Sequence, residues 1–248
     1  SFSLSGTDAS SMSINSSSGV LVFDSAPDYE TKTSYSATVT ASDGTNSTTQ
    51  DITITITDID DTAPVFTSSA SFSAAENQTS IGTVTATDVD TDNASITFSI
   101  SGSELSITSV GVLTFASTPD YETKSSYSAT VTASDGTNSS TQDITVTVTN
   151  VNDNSPVFTS GAAFSVVENQ TGIGTITATD DDGDTLSFSL SGTDASSMSI
   201  NSSSGVLVFN SAPDYETKTS YSATVTASDG TNSSSQSITV NIVDIDDV

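Results

Sequence analysis

Tyr35-Ser-Ala-Thr-Val-Thr-Ala-Ser-Asp43-Gly-Thr-Asn46-Ser-Thr-Thr-Gln-Asp-Ile52-Thr-Ile-Thr-Ile-Thr57 carries the pattern that decides the fold. Tyr35, Ala37, Val39 and Ala41 alternate with Ser and Thr, and Ile52, Ile54 and Ile56 do the same after the turn. A hydrophobic period of two places side chains alternately on the two faces of a strand, so both runs predict half-buried strands. Asp43-Gly44-Thr45-Asn46 between them has the composition of a hairpin turn. No apolar spacing of 3.6 competes with this reading.

Working outward, the hairpin is preceded by Asp28-Tyr-Glu-Thr-Lys32, which returns at Asp120–Lys124 and Asp214–Lys218, spaced by 92 and then 94 residues. All six tyrosines and all three lysines obey this period, and residues 1–60 reappear almost letter for letter from Ser187. The chain is therefore a repeat array. Further strands are predicted in the middle unit at 65–75, 81–87, 96–101, 104–108 and 112–115. With the hairpin they make about seven strands and no helix, the pattern of a Greek-key β-sandwich. The expected domains are 1–61, the later two thirds of a unit without its opening strands, then 62–153 and 154–248. An incomplete sandwich would leave an open edge, so the sequence reads as a segment of a longer array. Donation of the missing strands by a neighbouring chain is the rival reading.

Asp and Glu number 31 against 3 Lys, with no Arg or His, and the formal charge is −28. That charge disfavours nucleic acid and anionic membrane surfaces as partners. There is no cysteine, and no stretch approaches the roughly 18 apolar residues of a membrane span. The acids gather at recurring loops and boundaries, while the solvent faces of the strands are Ser and Thr. Close carboxylates repel by up to about 4 kcal/mol per pair at an effective dielectric near 20. Multivalent cations are the expected counter-charge.

Five motifs in register resemble those of cadherin repeats. Asp58-Ile-Asp60-Asp61-Thr62-Ala63-Pro64 and Asn150-Val-Asn152-Asp153-Asn154-Ser155-Pro156 are similar to the D-x-N-D-N-x-P interdomain linker. Asp-Tyr-Glu at 28–30, 120–122 and 214–216 resembles the D-x-E motif, and Glu76-Asn77 and Glu168-Asn169 resemble the first-strand glutamate. Asp88-Val-Asp90 and Asp180-Asp-Asp182 resemble D-x-D, and Asp43, Asp135 and Asp229 occupy the late acidic turn.

The resemblance implies calcium, about three ions per junction, held from both sides. The first junction would use Asp28, Glu30, Asp58, the carbonyl of Ile59, Asp60, Asp61, Asp88, Asp90 and Asp135. The second would use Glu76, Asp120, Glu122, Asn150, Asn152, Asp153, Asn154, Asp180, Asp182 and Asp229. The C-terminal set would be Glu168, Asp214, Glu216, Asp244, Asp246 and Asp247, and Asp43 would belong to a junction before the first unit. Thr62 and Asn150 depart from the family pattern. Calcium accepts six to eight hard oxygens in flexible geometry, which suits this donor set; transition metals more often use His or Cys.

Repeated acid pairs also raise glycoside hydrolysis. A site copied into every unit, with no His, Cys, Arg or Trp to orient substrate, argues against an enzyme. Tyr29 and Tyr35 at identical positions of every unit suit core and corner packing more than a sugar platform. The sequons at Asn46, Asn77, Asn138 and Asn232 are acceptors only where a transferase meets them. The expected function is a calcium-rigidified extracellular segment of a cell-surface adhesin or fibre, a stiff spacer joined to further repeats. An adhesion module that binds its own copies or surface glycans, or that assembles into filaments, is the alternative.

Overall fold

The structure, a computed structural model, describes residues 1–90 and 95–246, and they form strands joined by turns with no α-helix. The chain divides into two compact units. One comprises Ser1–Ser73, Thr79–Ser117 and Ser126–Thr147; the other comprises Ala74–Gln78, Thr118–Ser125 and Val148–Val248.

In the first unit the predicted hairpin forms between strands Ser34–Ser42 and Ser47–Thr55, with Tyr35 opposite Ile54 and Ala37 opposite Ile52. Asp43 closes the turn by donating its N–H to Asn46 O at 3.2 Å, and Gly44 takes φ +97°. Phe2–Ser5 pairs antiparallel with the hairpin, while Met12–Ile14 and Leu21–Phe23 form a two-stranded second sheet. The same pattern recurs with Thr97–Ile100 beside the strand Ser126–Ser134, itself paired with the strand Ser139–Thr149. Here the second sheet has three strands, Leu105–Ile107, Val112–Phe115 and Ser80–Thr83. That third strand decides core quality. Leu113, Phe115, Val131 and Val146 are buried, whereas Leu21, Phe23, Val39 and Ile54 are only half-buried.

The second unit holds a four-stranded sheet in the order Ala163–Val167, Ser233–Val243, Ser220–Ser228, Ser187–Ser191. Ala163–Val167 pairs parallel with its neighbour, and the other pairs are antiparallel. Gly172–Thr175, Val206–Phe209 and Met198–Ile200 form the facing sheet. Leu207, Val225, Ile238 and Val240 lie between them, fully buried. Short 3-10 turns at Ala9–Ser11 and Ala195–Ser197 qualify the helix-free expectation.

Two predicted strands are broken. The run 65–75 splits into Val65–Phe66, paired with Ala86–Thr87, and Ser71–Ala75, which joins the hairpin sheet instead. Periodicity is blind to a strand that changes sheets. The run 81–87 breaks where Val84 donates its N–H to Gly111 O at 2.8 Å. The tyrosine expectation holds for the hairpin position: Tyr35, Tyr127 and Tyr221 meet Phe23, Phe115 and Phe209 edge-on at 4.9, 5.1 and 4.9 Å. At the other position Tyr215 packs against the core, whereas Tyr121 is exposed. Strand faces are not free of acids either, since Asp51 and Asp143 accept the hydroxyls of Thr38 and Thr130 across the hairpins.

Candidate metal centres

Short-range turn chemistry sets the acids in place. Asp28 Oδ1 accepts the N–H groups of Glu30 and Thr31 at 3.0 and 3.3 Å, and Asp214 repeats this with Glu216 and Thr217. Asp120 accepts the N–H and hydroxyl of Thr123. An Asp that satisfies the backbone ahead of it fixes where the following Glu emerges. In the late turn Asp43, Asp135 and Asp229 each accept two N–H groups on Oδ1 at 2.6–2.8 Å. In the D-x-D loops Asp88 and Asp180 hold the N–H groups of Asp90 and Asp182.

Long-range contacts then assemble the clusters. Asp90 Oδ2 accepts the N–H groups of Asp61 and Thr62 at 3.2 and 2.7 Å, and Asp182 Oδ2 those of Asp153 and Asn154 at 3.0 and 2.8 Å. Glu76, only 3% exposed, takes the N–H of Tyr121 on one oxygen and of Val151 on the other, both at 2.7 Å. Glu168 does the same with Tyr215 and Ile245 at 2.8 and 3.0 Å.

Three groups of expected acids converge so that ligand oxygens lie within 4.8 Å of one another: Glu30, Asp61 and Asp90; Glu76, Glu122, Asp153 and Asp182; and Glu168, Glu216 and Asp244. A fourth group, Asp180 and Asp182 with Asp184, includes a residue that sequence reasoning passed over, although the alternation Asp180-x-Asp182-x-Asp184 was its signal. Of the other expected carboxylates, Asp28, Asp43, Asp58, Asp60, Asp88, Asp120, Asp135, Asp214, Asp229 and Asp246 are not drawn into these groups; Ile59, expected to offer its carbonyl, is 67% exposed. Asp247 lies outside the described residues.

The donor set fits a hard cation. Asp90 Oδ1, Asp135 Oδ2, Asp180 Oδ2 and Asp229 Oδ2 are buried from solvent with no hydrogen-bond donor. Buried anionic oxygens without a donor are rare in folded proteins and point to an ion. The D-x-E glutamates tell the same story. At Glu30 its own backbone hydrogen bond pulls the carboxyl down, but desolvation and the Asp28 and Asp90 carboxylates push it up to about 7. Desolvation raises Glu122, reinforced by Glu76 and Asp182, against its own backbone hydrogen bond. Glu216, despite a lowering backbone hydrogen bond, is raised by desolvation, Glu168, Asp214 and Asp244. Desolvation likewise pushes Asp182 upward, but Asn154 and Asp153 donate to it and leave it below the ordinary value.

Asparagines of the sequons bond to linker residues among the expected ligands. Asn138 Nδ2 donates to Asp60 O and Oδ1 at 3.1 and 3.0 Å, and Asn232 Nδ2 to Asn152 Oδ1 at 2.7 Å. Asn77, at φ +62°, donates its amide to Asp153. These partners lie about 76–80 residues away, beyond any local motif.

The model of the cadherin domain family matches residues 69–149 and 162–243. Mouse protocadherin Fat 4 is 36% identical over 150 residues, covering 55% of this chain and 3% of that protein. Mouse cadherin EGF LAG seven-pass G-type receptor 1 is 30% identical over 235 residues, covering 87% and 8% respectively. The chain thus spans less than a tenth of these relatives. Among solved structures, mouse cadherin-23 EC22-24 superposes with TM-score 0.79 at 26% identity, covering 98% of this chain and 86% of that one. The protocadherin gammaB7 EC3-6 cis-dimer structure gives 0.80 at 29%, covering 99% and 67%.

Proposed function

Because this chain belongs to the cadherin family, we propose that its acidic clusters bind calcium between consecutive repeats, bounded at 61/62 and 153/154, and that it serves as a stiff extracellular spacer in a cell-surface adhesin or fibre. The observation that carries this reading is the set of donor-less buried oxygens on Asp90, Asp135, Asp180 and Asp229. Cadherin domains as a class bind calcium and act in adhesion rather than catalysis.

In this reading Glu30, Asp61 and Asp90, with Asp28, Asp58, Asp60, the Ile59 carbonyl, Asp88 and Asp135, hold about three ions at the first junction. Glu76, Glu122, Asp153 and Asp182, with Asp120, Asn150, Asn152, Asn154, Asp180 and Asp229, do so at the second, and Glu168, Glu216 and Asp244 begin the third. Calcium supplies the positive charge that offsets carboxylate repulsion. The residues supply position: Glu76 and Glu168 anchor backbone on both oxygens, and Asp90 and Asp182 hold the linker N–H groups. Fixing the linker fixes the junction, and stiffness follows.

A second reading, self-association, is favoured by one finding: a neighbour 29% identical to this chain was solved as a cis-dimer.

Calorimetric calcium titration tests the first reading. Asp90→Asn and Asp182→Asn should each weaken binding at one junction by at least about tenfold, with magnesium a poor substitute. Binding unchanged in both variants would overturn it.

A further inference from the structure

Lys32, Lys124 and Lys218 are the only cationic side chains of the sequence, and each follows a D-x-E glutamate by two residues. A lysine there could screen the acids beside it. In the first and third copies it is committed elsewhere. Lys32 Nζ donates to Asp8 Oδ1, and Lys218 Nζ to Asp194 Oδ1, each acid lying 24 residues back along the chain. The ammonium groups stand 4.8 and 4.6 Å from the ring centres of Tyr35 and Tyr221. Asp8 is 9% exposed and precedes the 3-10 turn Ala9–Ser11, yet its side chain makes no capping bond to that turn. Its second oxygen takes the Ser36 N–H at 2.8 Å instead, and its own N–H donates to Ser36 O at 3.1 Å. Asp194 repeats both bonds with Ser222, at 2.8 and 3.0 Å. Lys32 and then the Ser36 N–H hold Asp8 below the ordinary carboxylate range against desolvation, and Lys218 and Ser222 do the same for Asp194.

The other end of each tie is the turn that carries the expected ligands. Lys32 N–H donates to Asp28 O at 3.0 Å, Asp28 Oδ1 accepts the N–H groups of Glu30 and Thr31, and the Thr31 hydroxyl donates to Asp28 Oδ2 at 2.8 Å. The turn from Asp214 to Lys218 is built the same way. A surface turn closed only on itself is free to swing as a body unless its far end is tied. Glu30 leaves the turn to meet Asp61 and Asp90, and Glu216 to meet Glu168 and Asp244. We infer that Lys32 and Lys218 are positioning residues: anchored through Asp8 and Asp194 to the hairpin strand, they fix the D-x-E turn so that Glu30 and Glu216 face their clusters before any ion arrives. Holding a ligand in place beforehand removes an ordering cost that ion binding would otherwise have to offset. Outer partners of metal ligands commonly change metal affinity by about 10–100-fold. A pure charge effect has the opposite sign. Deleting a cation two residues from Glu30 should tighten calcium, whereas losing the anchor should loosen it.

This inference rests on the calcium reading, and one set of variants separates the two. Calcium is followed through the amide resonances of Asp61 and Thr62, and the turns through hydrogen exchange in chelator. Lys32→Met keeps the aliphatic stem and loses the ammonium. The Glu30 and Thr31 amides should then exchange about fivefold faster in chelator, and calcium should bind the first junction about tenfold more weakly. Lys32→Arg should keep both near the unaltered chain, and Asp8→Asn added to Lys32→Met should change neither further, since each variant breaks the same tie. Lys218→Met should loosen the Glu216 and Thr217 amides alike and leave calcium at Asp61 and Thr62 unchanged, while the core amides of Val225 and Ile238 report that the fold persists. Exchange at Glu30 and Glu216 indifferent to the methionine variants, or calcium binding unchanged or tighter in Lys32→Met, overturns the positioning role. Calcium that shifts neither Asp61 nor Thr62 in the unaltered chain overturns the calcium reading, and exchange in chelator still decides whether the lysines set the turns.

Discussion

Glu76 accepts the backbone N–H of Val151 at 2.7 Å, so a buried first-strand carboxylate holds the start of a linker 75 residues further along the chain. Its other oxygen holds Tyr121 N–H. Glu76→Ala removes the acceptor of both part-buried N–H donors and should cost roughly 2–4 kcal/mol; Glu76→Gln keeps one acceptor and should cost about 1–2 kcal/mol. Urea unfolding in chelator, following the transition of the unit containing residues 74–78, measures both.

Glu30 gives the calcium-free protein a distinctive pH dependence. Its folded-state pKa, about 7, lies above the ordinary 4.5, so its contribution to stability is full below pH 4.5 and is lost as pH rises through 7. Asp28 and Asp90 are shifted downward, by Thr31 and Glu30 and by Thr62 and Asp61 respectively, against desolvation, which is the largest influence at Asp90. Their contribution is present above 3.8 and is lost on acidification. In chelator the melting temperature should therefore fall from pH 5 to pH 8, and Glu30→Gln should flatten that fall. In calcium the dependence should reverse, because binding requires the deprotonated carboxylate.

Core truncation should report the difference between open and closed sandwiches. Leu207 is 0% exposed and Leu21 only half-buried, although they occupy equivalent positions. Leu207→Ala should cost about 3–5 kcal/mol and Leu21→Ala markedly less. Thermal unfolding of the two variants compares them.

Gly205 sits at φ +69°, and a Cβ there would lie 2.1 Å from Ile176 O. Gly205→Ala must strain the backbone and push apart two sheet segments, at a cost of roughly 2–4 kcal/mol. Gly230, also at positive φ but with open space around it, should cost about 1 kcal/mol as alanine. Parallel melts of the two variants test the distinction.

Much of this was legible in the residues because the array repeats its own punctuation. The Tyr35–Ile56 alternation predicted the hairpin, and the D-x-E, D-x-D and linker motifs predicted that Glu30, Asp61 and Asp90 meet. What local pattern cannot carry is pairing across tens of residues. The switch of sheets between Phe66 and Ser71 leaves the alternation intact, and the amides of Asn77, Asn138 and Asn232 find the linkers only in the folded chain. Asp8 is a further case: it holds Lys32 and the N–H of Ser36, with Lys32 4.8 Å from the centre of the Tyr35 ring, a knot built from a residue no motif singled out.

Small-angle X-ray scattering through a calcium titration, with chelator and magnesium controls, tests the central claim most directly. Calcium-locked junctions predict a broad distance distribution in chelator that sharpens, as calcium is added, to a rod-like profile with a defined maximum dimension. A profile indifferent to calcium would contradict the account and leave the acids as a solvated surface.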